Sequence, residues 1–493
     1  MSTSVHETER KYEAPTGVAL PELADLPGVA AAAGPEEQRL EAVYYDTADL
    51  RLARAGLTLR RRVGGDDAGW HLKLPVAEDT REEVRLPPGR AAKHPPKELG
   101  SLVQVHARGD ALTPVARIQT TRQRWQLVDE RGKLLVEVVE DLVSAQDVAD
   151  ASVDTWREIE VELGERGDLA LLDQVERRLA EVGITRSTSS AKLTRLLSGR
   201  LTPAPPPPKR GKSAGDVVLA YLREQADALK FHDPKVRRKE EDAVHQMRVA
   251  SRRMRSALQA FGKVVDRERT RELTDELKWF AGVLGDARDA EVMRAGYEAN
   301  VAKLDPTLVL GSVSALLTRH FAPMEAGAHE SAMTAMNSRR YFSLLNAVDA
   351  LIADPPLTPL ARGKAKDVLP KFVVKTYTRL ARHAENAHDD ESLHESRKAA
   401  KRLRYAVETV EPLYGKSAQE YRKRLKDLQT LLGDHQDSVV ARPVLRELGA
   451  QAFREGENGF TFGLLHGLEQ AKAARVEEHF PAVWRELGTP KFV

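Results

Sequence analysis

The 493-residue chain contains no cysteine. That excludes disulfides, thiolate metal sites and a cysteine nucleophile, so a metal here must be held by carboxylates, with or without histidine, a ligand set that suits magnesium or manganese. No stretch approaches the roughly 18 apolar residues of a membrane span, and the opening MSTSVHETERK lacks the apolar core of a secretion signal. A cytoplasmic protein without membrane contact is expected. No Gly-rich phosphate loop of the GxxxxGK[ST] type is present, which removes support for a nucleotide switch, and no Ser-His-Asp arrangement stands out. Aromatic residues make up only 5%, leaving few rings on which nucleic acid bases could stack.

Charge is plentiful but unevenly divided. Residues 1–200 hold 28 Lys+Arg against 34 Asp+Glu, net −6, and the remainder holds 48 against 40, net +8. The join is LTPAPPPPKRGKSAGD at 201–216, a proline run expected to form a stiff spacer ending in a small-residue hinge. Upstream the texture is alternating strand: 57–63, 70–76, 82–86, 122–128, 133–143 and 156–163. Downstream there are long helical patterns, no convincing strands and few prolines outside loops. The expected fold is multidomain α+β: a β-rich domain over 1–200, the linker at 201–216, and an all-α helical bundle over 217–485.

The bundle carries an internal duplication. HQMRVASRRMR from His245 returns as HESRKAAKRLR from His394, and LGDARD at 284–289 returns as LGDHQD at 432–437. Two matches at nearly one offset imply repeats of about 217–345 and 365–485. On a helix, His245, Arg248, Arg252 and Arg255 fall within roughly 80° of one another, as do His394, Arg397, Lys401 and Arg404, with Val249, Met254 and Leu258, or Ala399, Leu403 and Val407, opposite. A third stripe, Lys371, Lys375, Arg379 and Arg382, precedes His394. One such stripe is usually a solvated face. Recurrence at matched positions favours a polyanion-binding surface, because four like charges on one face repel unless an anion lies against them. The histidines read either as hydrogen-bonded packing residues or as phosphate donors. Tyr405 and Trp279 are expected in the core.

In the acidic half several strands place charges at alternate positions: Glu7, Glu9 and Lys11; Arg60 and Arg62; Glu158, Glu160 and Glu162, with Ile159, Val161 and Leu163 opposite. These faces meet either water or an enclosed polar lumen. Several strands of both signs favour the lumen, with carboxylates at one side able to hold a divalent metal and cations at the other able to hold phosphate oxygens.

ETERK at 7–11 resembles the E-x-E-x-K signature that opens the CYTH family, the triphosphate tunnel metalloenzymes. The resemblance continues through YYDT at 44–47, GLTLRRR at 56–62, HLK at 71–73, REE at 81–83, EIEVEL at 158–163 and SAK at 190–192. It implies an eight-stranded antiparallel tunnel that binds Mg2+ or Mn2+ and a linear triphosphate. By that resemblance Glu7, Glu9, Asp141, Glu158 and Glu160 are metal ligands, with Glu137 a contributor, and Lys11 joins Glu7, Glu9 and Glu160 in catalysis. Arg60, Arg62, Lys73, Arg117, Arg124 and Lys192 become substrate contacts. Arg85 departs from the pattern, standing where many relatives carry a second acidic residue after Glu83. The second half, from 217 to 485, resembles the CHAD domain, which is associated with inorganic polyphosphate. Its repeats differ at Ala287 and His435, and Asp286, Asp289, Asp434 and Asp437 are expected to organise loops or pair with cations.

Together these imply a metal-dependent inorganic triphosphatase whose helical module docks polyphosphate, concentrating substrate or placing the protein on polyphosphate granules. The alternatives are a hydrolase or cyclase acting on an organic triphosphate such as thiamine triphosphate or ATP, and a non-catalytic polyphosphate-binding protein. Nucleic acid is the weaker ligand.

Overall fold

A computed structural model describes residues 3–89, 94–201 and 211–493, except the side chain of residue 288, and divides into two compact units, Met1–Pro206 and Pro207–Val493. The first unit is built on strands β1 (Thr3–Glu13), β2 (Ala31–Asp46), β3 (Thr58–Val63), β4 (Gly69–Pro75), β5 (Thr80–Leu86), β6 (Thr113–Val128), β7 (Leu134–Asp147) and β8 (Val153–Leu163). They pair antiparallel in the order β5-β4-β3-β2-β6-β7-β8-β1. Strand β1 closes the circle by changing partners midway: Thr3–Thr8 pair with β5 and Glu9–Glu13 with β8. A two-residue β9 (Thr185–Arg186) adds to the end of β1.

Alternation decides which side chains enter the barrel. On β8, Ile159 and Val161 point outward and are buried under Leu172, Val175 and Leu179 of helix α4 (Leu169–Glu181). That helix starts at Asp168, whose carboxylate accepts from Leu171 N at 2.9 Å, a capping bond that satisfies one of the first-turn amides. The glutamates of β8 therefore face the lumen rather than water. On the other flank, outward residues of β3–β5 pack against the short helices α2 (Lys97–Leu102) and α3 (Gln104–Ala107). At one end of the lumen the inward residues turn apolar: Tyr44, Ile118, Val143 and Trp156 pack with Leu193 and Leu197 at helix α5 (Lys192–Leu196) and with Leu50 and Ala53 beside α1 (Arg51–Arg54). The barrel is thus plugged at that end, and α5 delivers Lys192 from the plug.

The second unit comprises α6 (Ala214–Arg237), α7 (Ala243–Ala260), α8 (Arg271–Val301), α9 (Val313–Met336), α10 (Arg339–Ala353), α11 (Ala365–Val368), α12 (Pro370–Ala384), α13 (Asp390–Tyr414), α14 (Lys416–Arg454) and α15 (Phe460–Leu487). The order α6–α9 recurs as α12–α15, with successive helices packed together in each copy, and α7 lies against α13. Among the described residues, extended pairing here is limited to two isolated bridges. Two expectations need correction. Residues 202–210 of the linker, the proline run included, lie outside the described residues, and its expected small-residue hinge is the start of α6: Ser213 Oγ accepts from Asp216 N at 3.2 Å and donates to Asp216 Oδ2 at 2.6 Å, a capping box. Prolines also enter helices, at Pro234, Pro323, Pro412, Pro443 and Pro481.

Candidate functional site

The barrel encloses a cavity of about 310 Å³ lined mostly by charged side chains. Cations come from β3 (Arg60, Arg62), β4 (Lys73) and β6 (Arg122, Arg124), and carboxylates from β1 (Glu7, Glu9), β7 (Glu137) and β8 (Glu160, Glu162). Glu83 and Arg85 of β5, Lys11 and Lys192 also line it. Register explains the pairing: Lys11 stands opposite Glu160, Lys73 opposite Glu83, and Asp141 between Arg122 and Glu158. Lys11 Nζ contacts Glu160 and lies 3.3 Å from Glu9. Lys73 Nζ lies 2.7 Å from Glu7. Deeper in, the Lys192 ammonium sits among Asp141, Glu158 and Glu160 at 2.8, 2.7 and 2.9 Å.

Confinement sharpens the electrostatics. Burial opposes ionisation of Glu9, but Lys11 and Lys73 outweigh it and hold the carboxyl at about 2. Burial likewise opposes the Lys73 charge, and Glu9, Glu83 and Glu7 overcome it, so the ammonium is raised above its ordinary value. Glu83 is held down despite burial by the imidazole of His71, whose Nδ1 is 3.0 Å away, and by Lys73 and Arg60. Arg62 is lowered to about 9 by burial and by Arg60 and Arg122. Glu162 is pushed up to about 8 by burial and then by Glu7. The cavity is thus strained in both senses: the Arg62 charge is opposed by burial and by neighbouring arginines although Asp67 pairs with it, and the Glu162 charge is opposed by burial and by Glu7.

The donor set fits a hard divalent cation. Glu9 is 8% exposed, and its Oε1 is buried without a hydrogen-bond partner, a costly state that an oxygen-seeking ion would relieve. Asp141, Glu158 and Glu160 also bring oxygens within 4.8 Å of one another, although Lys192 already supplies a positive charge to that group.

In the helical unit, the two repeated motifs interlock. Arg248 on α7 lies over Gly285 of α8 so closely that an added Cβ would stand 3.1 Å from its Nη2, and its Nη1 donates to Asp289 at 2.7 Å. Arg397 lies over Gly433 of α14 less closely, its Nη2 3.7 Å from where a Cβ would stand, an ordinary contact. Gly285 thus gives Arg248 of the preceding helix room to cross the backbone, a demand that is weaker at Gly433. Because α7 and α13 are neighbours, their stripes face one another: a pocket between them is lined by Arg252, Arg255, His394, Arg397, Lys401 and Arg402, among others. The Nε atoms of Arg248, Arg255, Arg397 and Arg404 are buried without a hydrogen-bond partner. Burial, followed by Arg252, Arg397, Arg248 and Arg404, lowers Lys401 to about 7. His394 is lowered by burial and by Lys398, and its Nδ1 is unpartnered; His245 is exposed. Lys375 and Arg379 of α12 line an adjoining pocket with Arg402, whereas Lys371 is exposed outside it.

The CYTH domain family matches residues 5–197 and the CHAD domain family matches residues 220–446. The chain is a CYTH–CHAD protein. Two proteins of Mycobacterium tuberculosis, Rv2226 of strain H37Rv and MT2285 of strain CDC 1551, are each 36% identical to it over 98% of this chain and 96% of their own length. Among solved structures, the CHAD domain from the plant Ricinus communis is similar at 28% identity, covering 56% of this chain and 91% of that one, with a TM-score of 0.46. The CYTH domain supports a triphosphate-related activity. No helix among the described residues is long and apolar enough to cross a membrane.

Of the CYTH residues expected in the site, Glu7, Glu9, Lys11, Arg60, Arg62, Lys73, Arg124, Glu137, Glu160 and Lys192 line the cavity, and Asp141 and Glu158 stand directly behind Lys192. Arg117 is the correction. It is seven positions before Arg124 on β6, and the ladder with β7 runs without a shift from Ala116 to Leu127, so the two must face opposite sides. Arg117 is exposed on the outside. The residue missed was Arg122, which donates to Asp141 Oδ1 and Oδ2 at 2.8 and 2.7 Å and to Glu160 at 3.0 Å. The signal was its even spacing from Arg124. Arg85, which departs from the family pattern, contacts both Glu7 and Glu83. In the CHAD domain, Trp279 is half-buried beneath the Arg340 guanidinium, 4.0 Å from the ring centre, and is not a core residue; Tyr405 is.

Proposed function

We propose that the CYTH domain hydrolyses inorganic triphosphate with Mg2+ or Mn2+ and that the CHAD domain binds inorganic polyphosphate. The observation that carries this reading is the division of the cavity wall, with cations on β3, β4 and β6 facing carboxylates on β1, β7 and β8. Arg60, Arg62, Lys73, Arg122 and Arg124 bind the phosphoryl oxygens, and Lys11 and Lys192 complete the anion site. Glu7, Glu9 and Glu160, with Asp141 and Glu158 behind them, would hold the metal, which supplies charge neutralisation and a more acidic water. Binding is an exchange of partners. The ion pairs that join Lys73 to Glu7 and Lys192 to Asp141 would open, freeing the cations for phosphate oxygens and leaving the carboxylates available to hold a divalent ion. The arginines offset the charge that spreads over the equatorial oxygens of a loose phosphoryl-transfer transition state. Water is the nucleophile: its oxygen bonds to the terminal phosphorus as the bridging P–O bond breaks, a cavity carboxylate accepts its proton, and orthophosphate and pyrophosphate leave. Apolar lining is limited to a few side chains such as Leu40, Leu134 and Leu163, which offers little to a nucleobase or a thiazole.

In the CHAD domain, the facing stripes of α7 and α13, with Lys375 and Arg379 beside them, hold the polyphosphate chain. His245, Arg248, Arg252 and Arg255 serve from one copy and His394, Arg397, Lys401 and Arg404 from the other, and Lys371 extends the track.

Initial rates on tripolyphosphate, ATP and thiamine triphosphate test the substrate. Faster turnover of tripolyphosphate is expected, and a preference for either organic triphosphate would overturn the assignment. For the helical unit, polyphosphate and single-stranded DNA are compared across salt concentrations. Counterion release weakens both, and polyphosphate must stay the tighter ligand throughout.

A further inference from the structure

The duplication breaks at one chemically decisive position. Where the first copy has the half-buried Ala287 on α8, the second has His435 on α14, 1% exposed. Its Nε2 is aimed at two carboxylates from two further helices: Asp390 Oδ1, on the first residue of α13, at 3.2 Å, and Glu477 Oε1, on α15, also at 3.2 Å. The second oxygen of Asp390 accepts from Arg442 Nη2 at 3.0 Å, which fixes the carboxylate and leaves Oδ1 for the histidine. Glu477 has no other partner among the described residues.

We propose that His435, Asp390 and Glu477 form a binding site for a first-row divalent transition ion, of which zinc is the best fit and manganese the second. A single ring nitrogen carries at most one proton, so it cannot make a full hydrogen bond to both carboxylates at once. A dication at the centre of the triangle takes the nitrogen lone pair and both anionic oxygens together. The spacing suits it: bonds of about 2.0–2.1 Å at tetrahedral angles put ligand atoms about 3.3–3.4 Å apart, close to the 3.2 Å from Nε2 to each carboxylate oxygen, and the three ligand atoms all lie within 4.8 Å of one another. One imidazole with two carboxylates favours zinc over magnesium, which prefers oxygen ligands alone. The first copy builds the same helix order with Ala287 at this position, so the helix arrangement does not itself require a histidine there. Three protein ligands leave a coordination position for water, and the bound ion would clip the start of α13 to α14 and α15. The site belongs to the helical unit and shares no residue with the barrel cavity.

The test is zinc binding by equilibrium dialysis, with magnesium as control, together with thermal denaturation of the full chain in a Glu7→Gln/Glu9→Gln background that removes barrel ligands. The expected result is one fewer zinc ion per chain in His435→Ala, affinity at least about tenfold weaker in Glu477→Gln, and a zinc-induced rise in Tm that both variants lose. Should His435→Ala fold poorly, Glu477→Gln, a half-exposed position, carries the test alone. Unchanged zinc stoichiometry and affinity in the variants, or no zinc-dependent rise in the parent, would overturn the proposal and leave the triad as a metal-free polar contact.

Discussion

Arg122 and Glu162 show how single side chains set the character of the barrel. Asp141 is fully buried and depends on Arg122 and Lys192 for its charge balance. Arg122→Ala removes a bidentate partner and leaves a buried carboxylate undercompensated, which should lower unfolding stability by about 3–5 kcal/mol in urea titrations at neutral pH. Glu162 acts in the opposite sense. Its folded value of about 8 lies above the ordinary 4.5, so between those limits the folded chain binds more protons than the unfolded one, and stability falls as pH rises through the window. Without divalent metal, Glu162→Gln should be more stable than the parent at pH 8, with the gap closing toward pH 5. A constant gap across that range, followed by Tm, would contradict the assignment.

At the scale of elements, the strand and helix periodicities carried most of the information. The lumen-facing glutamates of β8 were legible because Ile159 and Val161 between them demanded a core, which α4 supplies. Strand β2 was not legible over its first half: Ala31–Ala33 and Glu36–Gln38 offer no apolar alternation, and they are held by the ladder to β6. Arg117 and Arg122 were separable by counting parity along β6, whereas the Asp141–Lys192 contact joins residues too far apart in sequence for any local pattern to show. The stripes on α7 and α13 were visible as patterns, but their facing arrangement was not. The LGD glycines are unequal in a way that can be measured. Gly285→Ala places a methyl 3.1 Å from the Arg248 guanidinium and should displace it, weakening polyphosphate binding, while Gly433→Ala has room and should stabilise the helix by about 0.5–1 kcal/mol without loss of affinity. Lys401 adds a pH dependence. Its value of about 7 in the ligand-free cleft lies below the ordinary 10.5, and an anion against it restores the charge, so binding takes up a proton above pH 7. Polyphosphate affinity should therefore fall as pH rises from 7 toward 10, beyond what salt explains, and Lys401→Arg should flatten that slope.

For the whole molecule, the near-neutral sum of charges conceals two units of opposite sign, an acidic barrel and a basic bundle. In the proposed function their chemistry is complementary: the barrel takes a polyanion together with a metal, and the bundle takes the polyanion alone. Metal removal should therefore separate the two activities, abolishing phosphate release while leaving polyphosphate retention intact, as a chelator titration with both readouts would show. The most direct test of the account is metal-dependent phosphate release from tripolyphosphate by the intact chain and by its Glu7→Gln/Glu9→Gln variant. The predicted result is turnover that requires Mg2+ or Mn2+ and falls at least about 100-fold in the variant, with polyphosphate binding unchanged; no turnover in the intact chain, or undiminished turnover in the variant, would contradict it.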